Sequence, residues 1–519
     1  MLKKVSLLSS VCLALYGLAY LGFLYPWINT TLFFLIVACT IYLSFRAPEY
    51  GIYIALSELI IGGKGYIFSI VAFGQAIPIR YAIFGILGLV FLWQVIREKR
   101  ITVWQSQFRW PLLSLALWIL LAAMLGYAKN PHEIWFFDLN GYIYFLFVFP
   151  LFQSIRNIGQ LRSLAYWGAA ATLALIVFTF FLSTLFATVY YRPNFVSATQ
   201  VDSGQLAKLD EDSGEPARLG QTTKLDASKI QLDRSEITQD RPSVYRWARD
   251  TGMAEISYFS GRIFRVFVIS HLYILLLLFP ALLFLLQTSK WSSSRYIGVL
   301  SLFLLGAALF IGFSRSFWFG LAVGILFLFA ILPKQFKLRL FLTSLTVLVV
   351  MLGALAIVPG AWDASVGRLQ SLFQPNTELA ASNRLQLLPN VVEKIKEAPL
   401  IGSGFGTLVR YRSLVAGTDE VETVAVYVYE WGYLDLLVKL GGIGLLIYLI
   451  FLGSVFRKGF QWKVQNQYEL IIKLGTLSAL LSLLAAHAFT PYLNHPLGIS
   501  AILMCALIFT LVPNTHAES

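Results

Sequence analysis

The chain has 519 residues, of which 58% are hydrophobic and 13% charged, and its net charge is +13. A water-soluble domain lies nearer half apolar and a quarter charged, so this composition excludes that class. Apolar runs long enough to cross roughly 30 Å of hydrocarbon recur from end to end, which predicts an all-α polytopic membrane protein.

In chain order the spans read as 5–24, 28–45, 51–73, 80–96, 111–128, 140–155, 163–187, 266–288, 296–313, 316–333, 340–359, 430–453, 467–487 and 496–512. Gly62-Gly63-Lys64-Gly65 interrupts the third, which predicts a broken or re-entrant helix there. The ninth and tenth meet at Ser314-Arg315-Ser316 with almost no loop, so the count is about 12–14 transmembrane helices. The expected organisation is N-terminal helices over 1–187, a loop over 188–265, central helices over 266–359, a second loop over 360–429, and C-terminal helices over 430–519.

Basic residues set the orientation. With the N-terminus inside, cytoplasmic segments carry Lys3, Lys4, Arg46, Arg97, Lys99, Arg100, Arg109, Arg156, Arg162, Lys290, Arg295, Lys334, Lys337, Arg339, Arg457, Lys458 and Lys463. The short outer loops carry Arg80 and Lys129, with Lys64 unassigned. That asymmetry accounts for most of the net charge, and no aromatic-and-basic nucleic-acid module is present, so no nucleic-acid partner is expected. It also places both large loops outside the cytoplasm. MLKK and the apolar run after it mimic a signal peptide, but no small-residue cleavage site precedes Tyr25-Pro26-Trp27, so the segment is expected to remain as an anchor. Cys12, Cys39 and Cys505 fall within spans and read as packing residues, without disulfide or metal spacing. No GxxxxGK[ST] loop points to a nucleotide, and no cofactor is expected.

The 188–265 loop divides in two. From about Ser197 to Asp240 it is polar and without periodicity, which reads as disorder or a loose cap. After that, Arg241, Arg246, Arg249, Arg262 and Arg265 crowd among aromatics beside the membrane. They serve either as interfacial anchors or as a lid whose guanidiniums meet a lipid-linked phosphate. In the 360–429 loop, Leu385, Leu388, Val391, Val392 and Ile395 recur at helical spacing over 383–397, and Pro399 ends that helix. Gly402, Gly404 and Gly406 then permit a tight turn or a close backbone approach to a ligand, unless the segment is only a surface helix with a glycine stop.

These residues carry a resemblance. SRSFWFG at 314–320, Arg384 with its amphipathic helix and PLIGSGFG, YEWGYLDLLVKLGGIGLL from Tyr429, and HAFTPYLNHP at 487–496 resemble, in order, the signature blocks of the O-antigen ligase and polymerase superfamily. The chain departs from the family pattern at Leu388, where a tryptophan is usual, and at Glu430-Trp431, where the family has His-Asn. The resemblance implies a GT-C-like helical enzyme of the bacterial inner membrane with its site facing the periplasm. Such an enzyme moves a preassembled glycan from a polyprenyl diphosphate carrier to a glycan or lipid-linked acceptor, without nucleotide or metal.

The residue chemistry agrees with that implication. A diphosphate leaving group gathers negative charge, which planar guanidiniums hold bidentately at any relevant pH. Arg315 and Arg384 are the first candidates for this clamp, with Arg249, Arg262 and Arg265 behind them. Arg315 would otherwise be a snorkelling anchor, and Arg384 an exposed residue at a helix start. Glu430 is the candidate general base, or else an interfacial residue at a helix N-terminus. His487 and His495 are the backup bases. Lys439 follows Asp435 by four residues and reads as a helix-surface pair, while Gly441, Gly442 and Gly444 read as helix-packing positions. The competing class is a transporter, either an ion or bicarbonate carrier or a lipid-linked glycan flippase, which predicts midplane charge and internal repeats. No repeat is visible, and the enzyme reading is preferred. Ligase and polymerase share one donor and are not separated by these residues.

Overall fold

The computed structural model describes residues 2–72, 75–190, 242–260, 263–287, 292–357, 379–414 and 421–512. Eight helices are long and apolar enough to cross a membrane, and four shorter apolar helices join them, among the described residues. The N-terminal part is α1 (Leu2–Leu24), α2 (Pro26–Arg46), α3 (Pro48–Ile61), the hairpin β1–β2 (Ser69–Ala72, Gln75–Pro78), α4 (Ile79–Glu98), α5 (Arg109–Lys129), α6 (His132–Ile143), α7 (Val148–Ser154) and α8 (Ile158–Thr188). A short helix α9 (Ser243–Asp250) and the hairpin β3–β4 (Glu255–Ser260, Ile263–Phe267) lead into α10 (His271–Gln287), α11 (Ser293–Ile311), α12 (Arg315–Ile331) and α13 (Lys334–Ile357). Next come α14 (Leu379–Glu397), the hairpin β5–β6 (Val409–Leu414, Val421–Val426), α15 (Gly432–Gln461), α16 (Gln467–His487) and α17 (Pro496–Leu511).

The helices begin where the chain supplies a suitable first turn. Pro26 and Pro48 open α2 and α3, where a missing N–H costs nothing. Asn157 and Asn466 cap α8 and α16 by accepting from Gln160 N and Glu469 N. The third expected span needs correction. Its helix covers only Pro48–Ile61, and Gly63 and Gly65, at φ 56° and 100°, turn the chain into the β1–β2 hairpin. The span expected at 266–288 also begins later, because Ile263–Phe267 pairs as β4 and the helix starts at His271. The segment expected at 140–155 crosses from α6 through a 3₁₀ turn at Tyr144–Phe147 into α7.

Packing is closest where side chains are small. On α12, a Cβ at Gly320 would sit 2.7 Å from the Ser482 carbonyl oxygen, and one at Gly324 would overlap the Phe279 ring. This small-xxx-small face is what admits α16 and α10. α17 is buried almost from end to end, while Leu89, Leu117 and Leu326 on outer helices remain 62%, 59% and 67% exposed. A bundle with apolar residues both inside and outside is stable only when lipid covers it. Cys12 and Cys505 are buried packing residues, as expected, whereas Cys39 is exposed on α2.

The second loop region forms its own small core. Leu387 and Val391 of α14 pack with Val409, Tyr411 and Val424 of the β5–β6 hairpin, and with Tyr429 and Val438. The buried face of α14 therefore runs through Leu387 and Val391, whereas Leu385 and Val392, counted from periodicity as part of it, are exposed. The helix also begins earlier than expected, at Leu379.

Candidate active site

Glu430 and Trp431 are the last residues before α15. The Glu430 carboxylate forms an ion pair with the Arg384 guanidinium from α14. The Trp431 indole N–H donates to the Arg384 carbonyl at 3.2 Å, so α14 holds the dipeptide by both backbone and side chain. The two charged side chains retain 51% and 32% of their exposure, so the pair is open to a ligand rather than sealed in the core.

A second cation stands at the start of α12. α11 ends at Ile311 and α12 begins at Arg315, and Phe313, at φ 43°, makes this short connection in a conformation rare for a bulky residue. Ser314 and Ser316 hydroxyls lie 3.0 Å apart around Arg315, which itself has an interaction partner. The Arg265 Nε of β4 donates to the Gly312 carbonyl at 3.1 Å, and its guanidinium lies 4.9 Å from the Phe267 ring centroid. The hairpin therefore brings Arg265 to the turn that carries Arg315.

The loop between α16 and α17 joins the two places. Phe489 packs against Trp431 on one side and against Phe319 of α12 on the other, at ring separations of 6.0 and 5.4 Å. Thr490 donates to the Ser316 hydroxyl at 2.9 Å, and Tyr492 stacks on Phe317 at 5.6 Å. Arg384 with Glu430, and Arg315 with Arg265, thus flank one loop.

The remaining expected residues have other positions. Arg262 lies outside the described residues. Arg249 donates to the Tyr245 hydroxyl of its own helix at 3.1 Å, and Trp247 on that helix packs on Tyr20 and Phe178. Of these two arginines beside the membrane, Arg265 is the one carried to the Ser314–Ser316 turn. His487 is fully buried, and its Nδ1 accepts from Leu493 N at 3.1 Å, which braces the loop from beneath. His495 Nδ1 accepts from Leu497 N at 3.3 Å and so caps α17. Burial, together with the charges of Arg80 and Lys64, pushes the His495 imidazole down to about 3. A ring that weakly basic remains neutral at pH 7 and is a poor proton acceptor.

The glycine turn makes its close approach to protein. Gly402, Gly404 and Gly406 have φ of 83°, 82° and 78°. Ser403 N donates to the Val438 carbonyl at 2.7 Å, Gly442 N to the Pro399 carbonyl at 2.8 Å, and Ile443 N to the Leu400 carbonyl at 3.1 Å. These bonds replace ones that α15 loses at Gly441, which interrupts the helix at φ 68° and ψ −179°. The Leu440 carbonyl accepts from the Trp118 indole at 2.8 Å instead. The turn is a plug in a broken helix, and it fixes the end of α14 relative to α15.

Three ionisable residues that the sequence reading missed or misplaced support this assembly. Lys439 and Asp435 do pair, at 2.7 Å, but both side chains are completely buried rather than on a helix surface. Asp138 of α6 completes the group at 2.5 Å from Lys439 Nζ, and its other oxygen accepts from Gly406 N at 2.8 Å. The signal was available: an aspartate in the apolar run WFFDLNGY and a lysine in DLLVKLGG require partners inside a bilayer.

Residues 299–449 match a family model described as O-antigen ligase. The similarity to that family lies in this segment. No curated protein matches the chain. The matched segment runs from α11 into α15, and so contains Arg315, Arg384 and Glu430. Arg265, His487 and His495 lie outside it in sequence, and the fold returns the loop around His487 and His495 to its surface.

Proposed function

We propose that this protein is a membrane glycan transferase that moves a preassembled glycan from a polyprenyl diphosphate carrier to an acceptor on the periplasmic side of the bacterial inner membrane. The observation that carries the reading is the open Arg384–Glu430 pair, held beside the Arg315 turn within the O-antigen ligase segment. The charge asymmetry of the loops supports the orientation.

In the proposed reaction the donor diphosphate competes with Glu430 for Arg384 and engages Arg315, with Arg265 adding to the local positive field. Release from Arg384 frees the Glu430 carboxylate. An acceptor hydroxyl then attacks the anomeric carbon and passes its proton to Glu430. The bond from that carbon to the diphosphate oxygen breaks, and the electron pair leaves with the diphosphate, whose charge the guanidiniums stabilise. Attack opposite the leaving group inverts the anomeric configuration. The scheme needs neither nucleotide nor metal, and the acceptor distinguishes a ligase from a polymerase.

The test is glycan transfer by purified protein in detergent, with a polyprenyl-diphosphate oligosaccharide and candidate acceptors. Removing one donor that stabilises developing charge costs on the order of 3 kcal/mol. Arg384→Ala and Arg315→Ala should therefore each lower turnover by roughly 100-fold with the fold intact. Glu430→Gln should abolish proton acceptance while retaining donor binding. Full transfer by all three variants would overturn the assignment of the site. Ion uptake or lipid translocation in proteoliposomes without transfer would overturn the transferase reading itself.

A further inference from the structure

We propose that Asp435 is a positioning residue that sets Glu430 and the 488–495 loop in register with one another; the inference rests on the transferase reading above. Asp435 is completely buried one turn into α15, and each of its oxygens is used. Oδ1 accepts from the Tyr429 backbone N–H at 3.2 Å and from Lys439 Nζ at 2.7 Å. Oδ2 accepts from Asn494 Nδ2 at 2.7 Å. Tyr429 directly precedes Glu430, and Asn494 lies in the loop that packs on Trp431 and bonds Ser316. One carboxylate therefore ties the candidate base to the segment joining it to the Arg315 turn.

The surroundings leave Asp435 little freedom. The Tyr429 hydroxyl donates to the Thr407 carbonyl at 2.7 Å, so that residue is held at both ends. Lys439 is shared with Asp138, and Asp138 reaches the Gly406 N–H. On the same face of α6, Gly141 is where the Asn494 carbonyl comes close, in space a Cβ would fill. The backbone at Glu430 is one virtual bond from a fixed point, so rotation of the Asp435 carboxylate would shift the Glu430 carboxylate relative to the Arg384–Arg315 face. A displacement of about 1 Å in a reacting group lowers turnover by roughly 100-fold without removing substrate contacts.

The discriminating variant is Asp435→Asn, which keeps the shape and an acceptor for Tyr429 N–H but presents an amide N–H₂ to Asn494. Turnover should fall between about 10- and 100-fold while the donor KM remains within about twofold of native, since Arg384 and Arg315 are untouched. The exchanged pair Asp435→Asn with Asn494→Asp keeps the net charge and restores the bond with reversed polarity, so it should recover most of the lost turnover. Native turnover in Asp435→Asn, or a loss that appears equally in kcat and donor KM and is not recovered by the exchange, would overturn the proposal. Amide hydrogen exchange provides a readout independent of activity. Asp435→Asn should accelerate exchange in both 427–432 and 488–495, and acceleration in only one, or neither, would overturn the tie. If the native protein transfers no glycan, the transferase reading fails, and the exchange result still decides whether Asp435 links the two segments.

Discussion

Gly404→Ala tests the claim that the glycine turn is a plug between helices. Gly404 sits at φ 82°, where an L side chain costs about 1–2 kcal/mol. An added Cβ would overlap Gly126 N and lie 2.7 Å from Gly126 Cα and 2.9 Å from the Ala122 carbonyl oxygen. All three are backbone atoms of α5, so no side-chain rotation relieves the clash, and overpacking of that kind adds about 1–3 kcal/mol. Together the two effects amount to about 2–5 kcal/mol of destabilisation. Relief requires the turn to lift, which would also weaken the bonds from Gly404 N to the Lys439 carbonyl at 3.2 Å and from Ser403 N to the Val438 carbonyl. The control is Gly88→Ala in α4, where a Cβ meets nothing within 4 Å and the helix gains up to about 1 kcal/mol. Thermal unfolding midpoints and protease resistance in detergent, with amide exchange over 399–406, measure the effect. If Gly404→Ala unfolds at the same temperature as the native protein and Gly88→Ala, the packing argument is wrong.

Lys439→Met should destabilise the protein by about 3–5 kcal/mol, because it leaves Asp138 and Asp435 as buried carboxylates without their cation. The triple variant Asp138→Asn, Lys439→Met, Asp435→Asn removes the buried charges together and should be less damaged, as detergent unfolding will show. For His495 the folded imidazole lies at about 3, below its ordinary value of 6.5, so the unfolded chain binds more protons between those values. Its contribution to stability is present above pH 6.5 and is lost as the pH falls, at no more than about 1.4 kcal/mol per unit. His495→Asn keeps a cap for α17 and should flatten that acid limb, and an unchanged limb would remove His495 as its source.

The membrane class, the approximate helix positions and the tight α11–α12 connection are local properties of the chain, and each was legible in it. Length of apolar run, proline at a helix start and glycine at its end decide these without reference to the rest of the molecule. The second core region was only partly legible. Periodicity located α14 and put Val391 and Ile395 on its buried face, but it counted the exposed Leu385 and Val392 and left out Leu387, which is buried by contact with a hairpin that the pattern did not reveal.

The chain by itself also marked Arg315, Arg384 and Glu430 as charges out of place beside a membrane, because a guanidinium or carboxylate there demands an explanation from its own neighbourhood. What those charges touch was decided by tertiary structure alone. Glu430 lies 46 positions from Arg384 in sequence, Asp138 lies 301 from Lys439, and Asn494 lies 59 from Asp435. The same is true of the glycines: a tight turn was foreseeable from residue type, but not that the backbone they expose would mend a break in α15. Hydrogen-bond partners at such separations are chosen by how the helices pack, and a linear pattern of apolar and charged residues holds no record of that choice.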